Sequence, residues 1–307
     1  MGILFNTLLM IVVAIAIPGV INRTRALLAG RQGMPFTQHL RNVNLLMKKS
    51  TVYSTTTTAL FRIAPAIYLG AAIVAMLFIP VADLYPLISF DGDVICFAYT
   101  LALARIIIIF AAMDTGSSFE GMGAAREALY GALIEPALMI GFATLALFCG
   151  YTSFAEIFEH EQTFDLHLTI VMLLTAFLFV NITFVESGRV PVDDPRTHLE
   201  LTMIHEVMCL DYCGIDMAMI HIASWIKCAC FSMIAANAIA ATCCFNWWFA
   251  TPLAILLTGL SVGIVESTQG RNKLVRNTTF IVTRIPGWCA KQNINRPLLC
   301  DVLSQKS

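Results

Sequence analysis

Seven long apolar stretches constrain this sequence more than any other feature. A helix needs about 20 mostly apolar residues to cross the hydrocarbon core of a bilayer, and each stretch is close to that length. They cover residues 3–21, 63–82, 94–113, 128–149, 168–185, 217–245 and 247–265. Only 13% of the residues are charged, against about 25% in soluble domains. The sequence therefore predicts an all-α, polytopic integral membrane bundle with seven transmembrane helices.

The basic residues lie in alternate connections between these stretches. The Lys and Arg counts are seven in residues 22–62, one in 114–127, two in 186–216 and seven in 266–307. The intervening connections, residues 83–93 and 150–167 and the short turn near Asn246, contain none. Lys and Arg accumulate on the cytoplasmic side of membrane proteins. We therefore predict an outside N-terminus and a transmembrane bundle over residues 1–265. Its loops 22–62, 114–127 and 186–216 and the tail 266–307 would be cytoplasmic.

The first predicted cytoplasmic loop carries an apolar stripe at helical spacing. The stripe consists of Phe36, Leu40, Val43 and Met47, and the nearby basic residues lie off that face. This pattern is typical of a helix that lies along the membrane surface or packs under a partner subunit. A basic surface helix with no further role is an equally good interpretation.

Two charged residues inside the apolar stretches are predicted to meet. Arg105 and Glu135 both lie about 10–12 Å from the predicted cytoplasmic ends of their helices, at 1.5 Å per residue. One interpretation is a buried salt bridge that fixes helix packing. The other is a hydrated cavity that carries protons or ions, because titratable groups in a membrane interior often mark such paths. Pro136 favours the second interpretation, since proline removes an intrahelical hydrogen bond.

The 217–245 stretch contributes two more candidates for a proton path. Lys227 lies near the bilayer midplane, about 15 Å from the predicted cytoplasmic end, and His221 lies closer to that end. An ammonium group without a partner at that depth is easily deprotonated, which suits a residue that loads and releases protons. We therefore predict a proton path that includes Glu135, Arg105, Lys227 and His221.

The connection over residues 186–216 is rich in acidic residues although it is predicted to be cytoplasmic. Among its acids are Glu186, Asp193, Asp194, Glu200, Glu206 and Asp211. Asp194 followed by Pro195 has the form of an N-cap and first helical position, so we expect a helix over residues 196–210. Apolar residues between the acids indicate that this segment is buried against another surface.

The same connection carries a recognisable motif. The pattern Glu186-x-x-Arg189-x-Pro191-x-Asp193, followed by Glu200-Leu201 and Asp211-Tyr212-Cys213-Gly214, resembles the hallmark loop of the H subunit of complex I. The run from Val192 to Glu206 is still more similar to the related subunit of hydrogenase-4-like complexes and other membrane-bound nickel-iron hydrogenases. Further matching runs begin at Thr51, Phe61, Asp114 and Gly123, and Glu135-Pro136 also agrees.

This resemblance implies a membrane subunit of a complex-I-like respiratory assembly of the hydrogenase-4 or formate hydrogenlyase type. Such a subunit anchors the peripheral redox arm and couples electron transfer to proton or sodium translocation. The resemblance makes Glu135 the membrane carboxylate, and Arg105 and Lys227 also fit the hydrogenase-type pattern. The coupling-loop charges would be Glu186, Arg189, Asp193, Asp194, Glu200, Glu206 and Asp211. The alternatives are an H subunit of NADH:quinone oxidoreductase that lines a quinone chamber, or a stand-alone secondary ion transporter.

The sequence contains no motif for a cofactor or metal of its own. We find no phosphate loop, dinucleotide fingerprint, nucleophile elbow or four-ligand zinc spacing. The chain is therefore expected to be non-catalytic alone. Iron-sulfur clusters and a nickel-iron centre would belong to peripheral partner subunits, antiporter-like subunits would be its membrane partners, and quinone would enter only in the alternative. We expect no nucleic acid partner and a location in a bacterial or archaeal cytoplasmic membrane.

The C-terminal region departs from the family pattern. The resemblance implies an eighth helix after residue 266, but the apolar run over residues 278–283 stops at Arg284 and the following residues stay polar. We therefore expect a tail that is truncated relative to the family.

Overall fold

The structure, a computed structural model, describes residues 2–82, 84–159, 166–193, 203–242 and 247–270. Extended pairing in these residues is limited to one isolated bridge between Val81 and Leu84. The described α-helices are α1 (Gly2–Leu28), α2 (Gln38–Met47), α3 (Ala59–Leu77), α4 (Asp93–Asp114), α5 (Ser118–Cys149), α6 (Phe154–Glu159), α7 (Leu166–Glu186), α8 (Gly214–Ala240) and α9 (Trp247–Thr268). The predicted all-α class is confirmed for this part of the chain.

Seven of these helices are long and apolar enough to cross a membrane, namely α1, α3, α4, α5, α7, α8 and α9. They correspond one to one with the predicted stretches, so the seven-span prediction is confirmed. Helices α1 and α5 extend beyond the apolar stretches into the predicted cytoplasmic loops. The orientation of the bundle in the membrane stays a prediction.

Helix α8 lies at the centre of the bundle. It packs against α1, α2, α3, α7 and α9, and small residues such as Ala229, Ala235 and Ala236 are fully buried along it. Small side chains let neighbouring backbones approach closely. In a bilayer, where the hydrophobic effect does not drive helices together, this close packing stabilises their association. Helix α8 therefore contacts helices from both the N-terminal and the C-terminal parts of the bundle.

An aromatic cluster fills the bundle interior around Phe97. The Phe97 ring lies edge-on to the rings of Phe142, Phe154 and Phe231 at centroid distances of 5.4–6.0 Å. Such T-shaped pairs place the positive ring edge against the negative ring face. The cluster joins α4, α5, α6 and α8 in an apolar region.

The predicted helix over residues 196–210 is wrong for the part that the structure describes. Residues 203–210 contain only a short 3-10 helix, Val207–Cys209. The carboxylate of Asp193 accepts hydrogen bonds from the backbone N–H groups of Ile204 and His205, and a side chain that binds backbone donors in this way competes with helix formation. Residues 194–202 lie outside the described residues, and so does the predicted tail from residue 271 onward.

Candidate functional site

Arg105 lies at the centre of a group of charged side chains. Its Nη1 donates to Glu135 Oε1 at 2.8 Å, its Nη2 donates to Glu186, and its Nε lies 3.6 Å from Glu127 Oε1. The Arg105 side chain is only 6% exposed. The guanidinium of α4 therefore joins three carboxylates from α5 and α7, and the predicted pairing of Arg105 with Glu135 is present.

A glycine on α5 makes room for this guanidinium. A Cβ atom at Gly131 would lie 2.8 Å from Nη1 of Arg105 and 2.9 Å from its Cδ. Real Cβ atoms do not come this close to neighbouring heavy atoms. The site therefore depends on the absence of a side chain at position 131.

Lys227 joins the same group through Glu186. Its Nζ lies 2.8 Å from Glu186 Oε2 and 5.4 Å from the centroid of the Tyr68 ring, a cation–π contact. The Lys227 and Glu186 side chains are 3% and 2% exposed. The expectation of an unpartnered ammonium is therefore wrong, because a carboxylate that the sequence placed in a loop forms the last residue of α7 and faces Lys227.

His205 connects this group to the 186–216 connection. Its Nε2 lies 3.4 Å from Glu127 Oε2, and its Nδ1 lies 3.6 Å from Asp193 Oδ2. Burial acts to lower the pKa of His205, but the Glu127 and Asp193 carboxylates outweigh it, so the pKa is raised above 6.5. Burial acts to raise the pKa of Asp193, but His205 and two backbone N–H groups outweigh it and hold that pKa below its ordinary value.

The backbone near His205 is shaped to receive its ring. Gly188 has a φ of +58°, in the left-handed region, and a Cβ there would lie 2.7 Å from Nδ1 of His205. A residue with a side chain would be strained by the backbone and would also collide with the ring. The turn after α7 therefore holds His205 against the membrane-embedded charges.

We call these residues the charge cluster: Arg105, Glu127, Glu135, Glu186, Asp193, His205 and Lys227. It contains four carboxylates, one Arg and one Lys, so its formal net charge is −2 with a neutral His205 and −1 with a protonated one. The carboxylates therefore outnumber the Arg and Lys side chains with which they form ion pairs.

Glu135 is the most exposed residue of the charge cluster. The side chain of Glu135 is 48% exposed, whereas those of Glu127 and Glu186 are 8% and 2% exposed. Helix α5 runs without interruption through Pro136. The charge cluster thus extends from the buried end of the 186–216 connection to a carboxylate on the side of the bundle.

A cavity of about 130 Å³ adjoins the charge cluster. Arg105, Asp193, His205 and Lys227 line it, together with His221. The volume and polar lining suit several water molecules. His221 makes no ion pair with the charge cluster and instead lies between this cavity and a larger one of about 500 Å³.

The remaining predicted loop charges are placed differently. Arg189 Nη1 binds Glu266 Oε1 at 2.9 Å, and Glu206 lines the 130 Å³ cavity. The Asp211 side chain is exposed, and its backbone N–H donates to Glu120 at 2.9 Å. Asp194 and Glu200 lie outside the described residues. In the described part of the connection, Glu186 and Asp193 are the predicted charges that join the charge cluster.

A sequence model of the family described as NADH dehydrogenase matches residues 1–283. The chain belongs to the NADH dehydrogenase family. The resemblance to the complex I H-subunit family is thereby confirmed.

Similar proteins include both hydrogenase and NADH dehydrogenase subunits. Hydrogenase-4 component C of Escherichia coli (strain K12) is 28% identical over 275 residues, which cover 86% of this chain and 86% of that protein. Formate hydrogenlyase subunit 4 of the same organism is 29% identical over 198 residues, 64% of each chain. NADH-ubiquinone oxidoreductase chain 1 of Mycosarcoma maydis is 30% identical over 173 residues, 54% of this chain and 49% of that one.

A solved structure has the same fold as this NADH dehydrogenase family member. It is a chain of the membrane-bound sulfane sulfur reductase, an archaeal respiratory membrane complex. The TM-score is 0.72 at 21% identity, and the match covers 92% of this chain and 95% of that one.

Glu127 and His205 were not among the site residues predicted from the sequence of this NADH dehydrogenase family member. One signal for Glu127 was present, because Glu120 and Glu127 are seven residues apart and lie on one face of α5. Both are buried, at 0% and 6% exposure. No comparable signal marked His205, whose position depends on the turn around Asp193 and Gly188.

Proposed function

We propose that this chain is the membrane subunit of a complex-I-like respiratory assembly of the hydrogenase-4 or formate hydrogenlyase type. In that role it anchors the peripheral redox arm and couples electron transfer to proton or sodium translocation. The observation that carries the proposal is Glu186, which binds Arg105 and Lys227 at the point where α7 enters the 186–216 connection. A movement of that connection therefore acts directly on charges inside the bundle.

The charge cluster supplies a physical coupling mechanism. His205 stands between Asp193 of the connection and Glu127 of α5, and Glu127 shares Arg105 with Glu135. When the connection shifts, the distance between His205 and Glu127 changes, and with it the strength of the contact between Glu127 and Arg105. The ion pair between Arg105 and Glu135 then becomes stronger or weaker in response. Glu135 then gains or loses affinity for a proton or a sodium ion, since a nearby cation favours the ionised carboxylate. Electron transfer in the peripheral arm would shift the 186–216 connection, and this shift would drive ion movement.

The exposed carboxylate indicates where a membrane partner binds. An acidic side chain facing lipid costs on the order of 2.5–3.5 kcal/mol, and Glu135 is half exposed in this single chain. An antiporter-like membrane subunit that covers Glu135 would remove this cost and receive the transferred ion. Peripheral subunits with iron-sulfur clusters and a nickel-iron centre would bind at the predicted cytoplasmic side, in a bacterial or archaeal cytoplasmic membrane.

The extent of the similarity favours the hydrogenase type over a quinone-reducing one. The match to hydrogenase-4 component C covers 86% of this chain, and the match to NADH-ubiquinone oxidoreductase chain 1 covers 54%. A subunit of the first type is therefore the better account of the whole sequence.

The proposal is tested by replacing Glu135 in the intact assembly. The assembly is purified through this chain, reconstituted in vesicles and driven with reduced methyl viologen, while hydrogen evolution and ion uptake are recorded together. We expect Glu135→Gln to keep its partners and evolve hydrogen but to lose most ion uptake. The control is Glu156→Gln, which changes an exposed glutamate of α6 outside the charge cluster. Wild-type ion uptake in Glu135→Gln would exclude this role, and a chain purified without redox partners would exclude the assembly.

A further inference from the structure

A second cavity, of about 500 Å³, lies between the predicted cytoplasmic ends of the bundle helices. Helices α1, α2, α8 and α9 and the turn after α7 enclose it. Its size is within the range of small-molecule binding sites. Its charged lining consists of Arg25, Lys49, Arg189 and Glu266, with the imidazoles of His39 and His221. The coupling mechanism does not use this cavity.

The cavity has an excess of positive charge. Glu266 pairs with both arginines, at 3.6 Å from Arg25 and 2.9 Å from Arg189, so one carboxylate faces three cations. The Nε of Arg189 is buried and has no hydrogen-bond partner among the described residues. Burial and the nearby Arg189 charge lower the pKa of His39, which favours the neutral form of that ring. The lining therefore favours a ligand that carries negative charge and accepts hydrogen bonds.

The other part of the lining is apolar. Val43, Leu46 and Trp225 face the cavity, and the Trp225 ring lies edge-on to His39 at 5.6 Å. On α2, Leu45, which also lines the cavity, and Met47 are 59% and 54% exposed. An amphipathic helix with exposed apolar residues of this kind lies in the membrane interface. A ligand that fits the cavity therefore has an apolar portion as well as an anionic one.

The depth of the cavity matches the lipid headgroup region. Arg25 lies in the last turn of α1, and Glu266 lies in the last turn of α9. Both helices are predicted to end at the cytoplasmic boundary, where basic pockets between transmembrane helices bind acidic headgroups.

We propose that this cavity binds one anionic phospholipid. Its phosphodiester lies among Arg25, Lys49 and Arg189, and its acyl chains leave along the apolar face of α2. A free phosphate would use the cations but not Val43, Leu46 or Trp225, and an uncharged ligand would leave the excess positive charge without a partner. The proposal is independent of the function proposed above, because it rests on residues outside the charge cluster.

The test measures lipid retention by the intact assembly. The purified and delipidated assembly is titrated with dioleoyl phosphatidylglycerol or with dioleoyl phosphatidylcholine, and native mass spectrometry records lipid adducts on this chain. We expect the phosphatidylglycerol adduct to dominate. Removing one basic group should weaken its binding by about fivefold, so Arg25→Gln and Lys49→Gln should each show this loss. The matched control is Lys48→Gln, because Lys48 is exposed next to Lys49 but does not line the cavity.

The competing outcomes are distinguishable. Equal retention of the two lipids, or the same loss in Lys48→Gln as in Lys49→Gln, would overturn the proposal, since either result would indicate general surface binding. Complete displacement of phosphatidylglycerol by millimolar inorganic phosphate would also overturn it in favour of a free anion. Lys49 is exposed, so its substitution leaves the bundle folded and keeps the comparison valid.

Discussion

The guanidinium of Arg105 and the α-carbon of Gly131 face each other so closely that no side chain fits between them. A Cβ at position 131 would lie 2.8 Å from Nη1 of Arg105, the atom that donates to Glu135. Gly131→Ala should therefore displace Arg105 and weaken its contact with Glu135. Overpacking of this kind costs about 1–3 kcal/mol. We expect a lower thermal unfolding midpoint and reduced ion uptake in the assembled complex.

The same helix provides a matched control for this substitution. Gly121 is also within α5, and a Cβ there would meet no atom within 4 Å. Gly121→Ala should therefore leave ion uptake unchanged and raise helix stability slightly, because alanine is the better helix former. Equal effects of the two substitutions would mean that Gly131 has no special relation to Arg105.

Glu186 is predicted to be the least replaceable carboxylate of the charge cluster. It is the shared partner of Arg105 and Lys227, and removing one partner of a buried ion pair costs about 3–5 kcal/mol. Glu186→Gln should therefore lower the thermal unfolding midpoint of the solubilised assembly strongly. The double substitution Glu186→Gln with Lys227→Met should recover part of the lost thermal stability. It also removes the Lys227 ammonium, which Glu186→Gln alone would leave without its carboxylate partner. Strictly additive effects in this double-mutant cycle would contradict the pairing.

His205 should make the docking of the 186–216 connection depend on pH. Its folded-state pKa is raised, so its contribution is complete below 6.5 and is lost as the pH rises through the folded value. The pKa of Asp193 is lowered, so its contribution is lost only as the pH falls through that low value. The connection should therefore be most firmly docked in mildly acidic solution.

Hydrogen exchange can measure this effect at the amides of Ile204 and His205, which donate to Asp193. After correction for intrinsic exchange rates, protection should fall as the pH rises above neutrality. His205→Gln should abolish this dependence, whereas His39→Gln, which changes a histidine of the second cavity, should keep it. An unchanged pH profile in His205→Gln would assign the effect to another group.

The sequence predicted the parts of the structure that depend on local pattern. Hydropathy located all seven long helices, and depth along each helix predicted that Arg105 could meet Glu135. Lys227 was harder to place, because its partner Glu186 lies at a helix end that sequence alone assigned to a loop. His205 was not predicted, since it reaches Glu127 only after Asp193 has turned the connection back toward the bundle. Long-range contacts of this kind have no periodic signal in the sequence.

A buried acid away from the charge cluster should affect stability without affecting coupling. Asp93 is fully buried at the start of α4 and accepts hydrogen bonds from Ser153 Oγ at 2.8 Å and the Phe154 N–H at 2.9 Å. Asp93→Ala leaves the Phe154 N–H without its acceptor, at a cost of about 1–3 kcal/mol, whereas Ser153 Oγ still has Ser89 Oγ at 3.0 Å. We expect a lower unfolding midpoint but normal ion uptake per assembled complex, in contrast to Glu135→Gln. Loss of ion uptake in stable, fully assembled Asp93→Ala would place Asp93 on the ion path and extend that path across the bundle.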